Sequence, residues 1–100
     1  MISVGKPLFK LGQVVATQEA IRAMQRAGAS PWPMLSRHVA GDWGDLSHED
    51  KHLNDEAVTD GSRILSAYHL ADGTKLWVIT EAEDDHGQRA ATTILTPDEY

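Results

Sequence analysis

The sequence predicts a small α+β domain: three helices, then a three-stranded antiparallel β-meander, with room for a short strand near the N-terminus. Three observations point there. Each helix-forming stretch opens on a residue suited to capping and closes at a glycine. The chain after Gly61 is rich in β-branched and aromatic residues and holds the turn pair Asp72-Gly73. The length of 100 residues, with 41% apolar and 24% charged side chains, suits one modest core. A chain of this size buries roughly 65% of its unfolded surface, so residues 1–100 read as a single domain.

The elements follow in order. Leu8, Phe9, Leu11, Val14 and Val15 read as an extended segment or short strand. Thr17 is an N-cap, because its hydroxyl can accept from an orphan amide one turn on. Gln18–Ala27 is rich in helix formers, and Gly28 suits the left-handed stop. Its buried stripe is Ala20, Ile21, Met24 and Ala27, with Arg22 and Arg26 on the wet face. Ser30-Pro31 opens the second helix, serine at the cap and proline at the first position. That helix runs to about Ala40 and stops at Gly41, with Leu35, His38 and Val39 facing the core and Arg37 pointing away. Asp42-Trp43-Gly44-Asp45 is a tight loop. Ser47 and Asp50 approximate a capping box, and Leu46 can staple onto the helix they open. This third helix spans about His48–Asp60, with Leu53, Ala57 and Val58 inward, and ends at Gly61.

The remainder reads as β. Arg63–Leu70 is a strand, Asp72-Gly73 a type I′ turn and Thr74–Thr80 the return strand. That turn sets His69 opposite Leu76 and Tyr68 opposite Trp77, an aromatic cross-strand pair. One face then carries Ile64, Tyr68, Leu70, Trp77 and Ile79, and the other Leu65, Ala67, Leu76 and Val78. Helices cover one of these faces, leaving the other to the N-terminal segment or a second subunit. A third strand covers about Arg89–Leu95 and ends at Pro97.

Charge and composition narrow the function. Residues 1–41 hold five basic side chains and one acidic; residues 42–100 hold four basic and fourteen acidic, giving the net charge of −6. Such asymmetry marks an interaction surface, and Glu81, Glu83, Asp84 and Asp85 are its densest cluster. An acidic surface repels phosphates, so direct nucleic-acid binding is disfavoured. Cysteine is absent, which removes disulfides, zinc ribbons and a thiol nucleophile. No apolar run approaches the ~18 residues of a membrane span, and nothing resembles a signal peptide, so the expected location is cytoplasmic. A serine-nucleophile motif, a phosphate loop and a dinucleotide fingerprint are all missing, and no cofactor is expected.

Two constellations carry possible chemistry. His48-Glu49-Asp50-Lys51-His52 matches H-E-x-x-H, in which two histidines on one helix face bind zinc. Here the motif opens its helix, carries charges at Asp50 and Lys51 and has no evident third ligand, so it reads as a solvated first turn. No metal is expected beyond adventitious binding by His48 and His52. The second constellation is Arg37, His38, Asp42, Trp43 and Asp45. A base, two carboxylates, a cation and an aromatic wall are the parts of a general acid–base site. They are equally the parts of a structural clamp in which an Asp caps amides, an Arg pairs with it and a Trp fills the core.

Three pieces of the chain together look familiar: Leu11-Gly12-Gln13-Val14-Val15-Ala16-Thr17, then Arg37-His38-Val39-Ala40-Gly41-Asp42-Trp43-Gly44-Asp45-Leu46 with Glu49-Asp50, then Thr92-Thr93-Ile94-Leu95-Thr96-Pro97-Asp98-Glu99-Tyr100. The sequence resembles a family of small bacterial proteins labelled hypothetical or "plasmid-related", over about Leu8–Tyr100. The resemblance implies a gene carried on plasmids and other mobile elements, and Tyr100 as the natural end. It implies no agreed chemistry.

The function expected is that of a non-enzymatic binding or accessory protein acting through Gly41–Leu46. Its partner is an unknown protein, of basic character to suit the acidic half, and a homodimer is compatible with the apolar faces. The alternative is a small hydrolase-like enzyme using His38, Asp42 and Asp45, with Arg37 binding an anion.

Overall fold

Residues 6–100 are described here from a computed structural model. In chain order they form β1 (Gln13–Ala16), α1 (Gln18–Ala27), α2 (Trp32–Val39), α3 (His48–Asp60), β2 (Ile64–His69), β3 (Lys75–Thr80), β4 (Ala91–Leu95) and a short 3-10 helix (Pro97–Glu99). The helix boundaries follow their caps. Thr17 Oγ1 accepts from the Ala20 amide at 3.1 Å, and Ser47 Oγ accepts from the Asp50 amide at 3.1 Å. Gly28 and Gly61 end their helices in the left-handed conformation. The second helix starts one step later than its sequence signal. Pro31 is the cap, and Ser30 Oγ accepts only a 3.3 Å contact from Trp32 N.

The sheet corrects the three-stranded antiparallel meander. The antiparallel run β2-β3-β4 is present, but β1 joins it, giving a four-stranded mixed sheet of order β1-β4-β3-β2. β1 lies parallel to β4, with Val14 opposite Thr92 and Ala16 opposite Ile94. Parallel neighbours need a long crossover, and here it consists of the three helices and the β2–β3 hairpin. Pairing with β1 also satisfies a β4 edge that would otherwise be left open.

The hairpin is the second correction. Ile64 pairs with Thr80, Ala67 with Trp77, Tyr68 with Leu76 and His69 with Lys75, one residue away from the expected register. A type I′ turn needs positive φ at both central residues, and among the described residues only glycines have it. The connection is instead the three residues Ala71-Asp72-Gly73. Gly73 N donates to Leu70 O at 2.9 Å, Gly73 has φ +90°, and Leu70 N donates to Thr74 O at 2.8 Å. A one-residue slip exchanges the faces of one strand relative to the other. Ile64, Ser66 and Tyr68 therefore share the helix-covered face with Leu76, Val78 and Thr80, continued by Thr92 and Ile94. All eight are buried. Tyr68 and Trp77 lie on opposite faces, so the expected aromatic pair does not form.

Trp77, Ile79 and Leu95 occupy the other face. The C-terminal turn packs there, with the Tyr100 ring edge-on to Trp77 at 5.5 Å and the Arg63 guanidinium 5.2 Å from the Tyr100 ring. The inner side holds two apolar clusters. The larger gathers Ala20, Ala23, Met24, Met34, Leu35 and the inner strand residues; the smaller gathers Phe9, Trp43, Ala57 and Ile64.

The third helix brings the third correction. Leu53, expected inward, is 60% exposed, and the residue that turns in is Asn54. Its Nδ2 donates to Leu65 O at 2.6 Å and its Oδ1 accepts from Leu65 N at 3.2 Å. Asn54 thus takes the place of a neighbouring strand at the outer edge of β2, where buried amides demand partners. No helix among the described residues is long and apolar enough to cross a membrane.

Candidate functional site

The last turn of α2 and the loop after it carry all five candidate residues. Arg37 and His38 are consecutive, so a helix turns them about 100° apart. Arg37 emerges to solvent and His38 points inward with no exposed surface. His38 Nδ1 lies 2.6 Å from Ser66 Oγ, and Nε2 lies 2.8 Å from Thr80 Oγ1. Thr80 Oγ1 is 2.7 Å from Thr92 Oγ1, which donates to the Leu11 carbonyl at 2.8 Å.

That terminal carbonyl orders the whole chain of hydroxyls. Leu11 O can only accept, so Thr92 spends its single proton there and must accept from Thr80. Thr80 then accepts from His38 Nε2–H, which leaves Nδ1 to accept from Ser66. The ring is a neutral imidazole with both nitrogens engaged. Burial, reinforced by the positive charge of Arg89, pushes its pKa down to about 4. Phe9 meets the ring edge-on at 5.1 Å and Trp43 at 6.0 Å.

The loop is braced from every side. Trp43 is 3% exposed, stacks on Phe9 and donates from Nε1 to Asp55 Oδ1 at 2.8 Å. Ala67 N donates to Trp43 O at 3.1 Å, and Asp45 N to Ala67 O at 2.7 Å, so the loop pairs along the outer edge of β2. Gly44 sits between them with φ +77°, and a Cβ there would come within 1.9 Å of the Ala67 carbonyl oxygen. The Tyr68 hydroxyl donates to Asp42 O at 2.6 Å, and burial pushes that phenol up to about 12.

Both aspartates face solvent and both have cationic neighbours. Arg37 grips Asp42 with two bonds, Nε to Oδ2 at 2.7 Å and Nη2 to Oδ1 at 3.2 Å. This bond to Arg37 holds the Asp42 carboxyl below its ordinary value and raises Arg37. The same guanidinium lies 4.5 Å from the Tyr68 ring centroid. Asp45 accepts from His69 Nε2 at 2.8 Å and lies 3.6 Å from Lys75 Nζ; the His69 bond, then Lys75, lower its pKa.

The five residues therefore separate into two layers. His38 and Trp43 are buried; Arg37, Asp42 and Asp45 are at the surface. Among the described residues, no hydrogen bond joins His38 to either aspartate. His48 and His52 are exposed, and His52 Nε2 sits 3.0 Å from Glu56 Oε1. No group of three or more potential metal-ligating side chains is assembled among the described residues.

Sequence reasoning missed Ser66, Thr80, Thr92, Asn54 and Arg89. The hydroxyls had a signal: in the true register they share the inner face with apolar neighbours, where a hydroxyl demands a buried partner. Arg89 had none, because nothing local distinguishes it from a surface arginine at a strand start.

Fold and site together define a small α+β domain with a mixed sheet, whose surface loop is braced over a buried histidine–hydroxyl network. No family model, curated protein or solved structure matches the chain.

Proposed function

We propose that this chain is a non-enzymatic binding module that engages a basic protein surface through Gly41–Leu46 and the adjoining first turn of α3. The observation that carries the reading is the bracing of an exposed loop by buried anchors. A surface already held in place loses little conformational entropy on binding, so more of its contact energy appears as affinity. Asp42 and Asp45 are exposed, and so are Glu49 and Asp50 a few residues further along the chain. The acidic balance of residues 42–100 favours a basic partner and would speed encounter with one. The resemblance to plasmid-related proteins makes a host enzyme that handles nucleic acid a fitting partner class.

The test is an untagged pull-down from bacterial lysate with wild type beside Asp42→Ala/Asp45→Ala, both checked for folding by circular dichroism. The expected result is a specific partner retained by wild type, lost by the variant and released by raised salt. Retention by the folded double variant would sink the assignment of this surface.

A further inference from the structure

Among the described residues, Arg89 is the one buried side chain of permanent charge, and no carboxylate hydrogen-bonds to it, although Asp60 lies near enough for that charge to lower its carboxyl. It is 7% exposed and takes part in no ion pair among the described residues. Its guanidinium donates through Nη1 to Ser62 O at 2.8 Å and Glu81 O at 3.0 Å, and through Nη2 to Ala57 O at 2.9 Å. These carbonyls hold the group in place and carry no formal charge of their own to cancel it.

A cleft of about 340 Å³ opens beside it. Arg89 and Lys10 line this cleft with Leu8, Phe9, Val58 and Glu83 among others. The volume falls within the ~300–1,000 Å³ typical of small-molecule sites. The Arg89 guanidinium lies 5.7 Å from the Phe9 ring centroid, so charge and apolar wall adjoin. Among the described lining residues, two cations stand against one carboxylate, a net positive charge inside an acidic protein.

We propose that this cleft binds a small organic carboxylate with an apolar body, its anionic head toward Arg89 and Lys10 and its body against Phe9, Leu8 and Val58. Exposed Glu83 opposes the anion and limits affinity. The site shares no residue with the loop proposed above as the protein-binding surface, so either can fail alone.

The probe is 3-phenylpropanoate, titrated into 15N-labelled protein beside 3-phenylpropan-1-ol, which keeps the body and removes the charge. The expected result is saturable shifts confined to the amides of Leu8–Gly12, Val58 and Gly87–Arg89, with the alcohol about tenfold weaker. Arg89 supports the fold, so the charge is tested at exposed positions: Lys10→Glu weakens the acid about tenfold and Glu83→Gln tightens it severalfold. No saturation, saturation elsewhere, or equal affinity for acid and alcohol would each overturn the proposal.

Discussion

At the residue scale, His38 gives this protein a pH dependence with a definite sign. Unfolded, its imidazole titrates near 6.5; folded, it is pushed down to about 4. Between those values the unfolded chain binds the proton more readily, so stability rises with pH. The contribution is complete above about 6.5 and drains away as pH falls toward 4. The span corresponds to about 3 kcal/mol. Arg89 faces the site with a constant charge, and the lowered carboxylates Asp42 and Asp45 add their losses at lower pH. Urea midpoints measured from pH 7 to 4.5 should fall steeply for wild type and much less for His38→Gln. Equal slopes would show that His38 is not the titrating group.

Gly44 is a second residue whose identity is dictated by its surroundings. Gly44→Ala combines a left-handed backbone with a collision against the Ala67 carbonyl, and should cost about 3 kcal/mol or more. Gly73→Ala makes the control, because Gly73 has φ +90° but open space around its missing Cβ. It should cost only the backbone term, about 1–2 kcal/mol. The two urea midpoints decide it: equal losses would mean the loop yields and is not pinned to β2.

At the element scale, α3 shows where hydrophobic periodicity misleads. Leu53 follows an inward-facing pattern on paper, but the adjacent sheet edge offers unpaired amide and carbonyl groups at Leu65. An apolar side chain cannot satisfy them, and an asparagine can satisfy both. The helix rotates to present Asn54. Leu53→Gln should therefore change stability by less than about 0.5 kcal/mol. Asn54→Ala should cost about 2 kcal/mol, because it strands two part-buried backbone groups. Chemical denaturation ranks the pair, and a larger loss at Leu53 would contradict the orientation of α3. The β2–β3 hairpin makes a related point. Asp-Gly marks a turn correctly, yet turn type depends on whether Asp72 takes positive φ, and one residue of slip moved Trp77 to the face where Tyr100 lies.

At the scale of the whole molecule, the parallel β1–β4 pair closes the sheet across nearly the entire chain, with Gln13 opposite Ala91. Thr17 reinforces that closure. Its amide donates to Ile94 O at 3.0 Å and its hydroxyl donates to Glu99 at 2.8 Å. β1 remains an edge strand of four residues with Val14 and Val15 well exposed. Short exposed edges open locally before a protein unfolds globally. Native-state hydrogen exchange should show β1 amides opening at much lower free energy than those of β3, which is paired on both sides. Uniform protection across the sheet would contradict this order.

What the sequence determined by itself was the set of α-helices and strands, while the closing 3-10 turn Pro97–Glu99 was not read from it. A threonine or serine cap, a proline at a helix start and a glycine at a helix end act within one turn, so neighbours in sequence suffice to read them. The inward direction of His38 and Ala57 was legible for the same reason: helical period placed them. Tertiary structure alone decided which strands pair, where the hairpin register falls, that Asn54 replaces Leu53 in the interior, and that Arg89 is buried. Each of these depends on satisfying backbone groups or charges brought close by segments distant along the chain. The same holds for the candidate site. Arg37, His38, Asp42, Trp43 and Asp45 stand together in the sequence, but their division into a buried pair and an exposed trio was set by Ser66, Thr80, Tyr68 and Ala67 on the sheet beneath them.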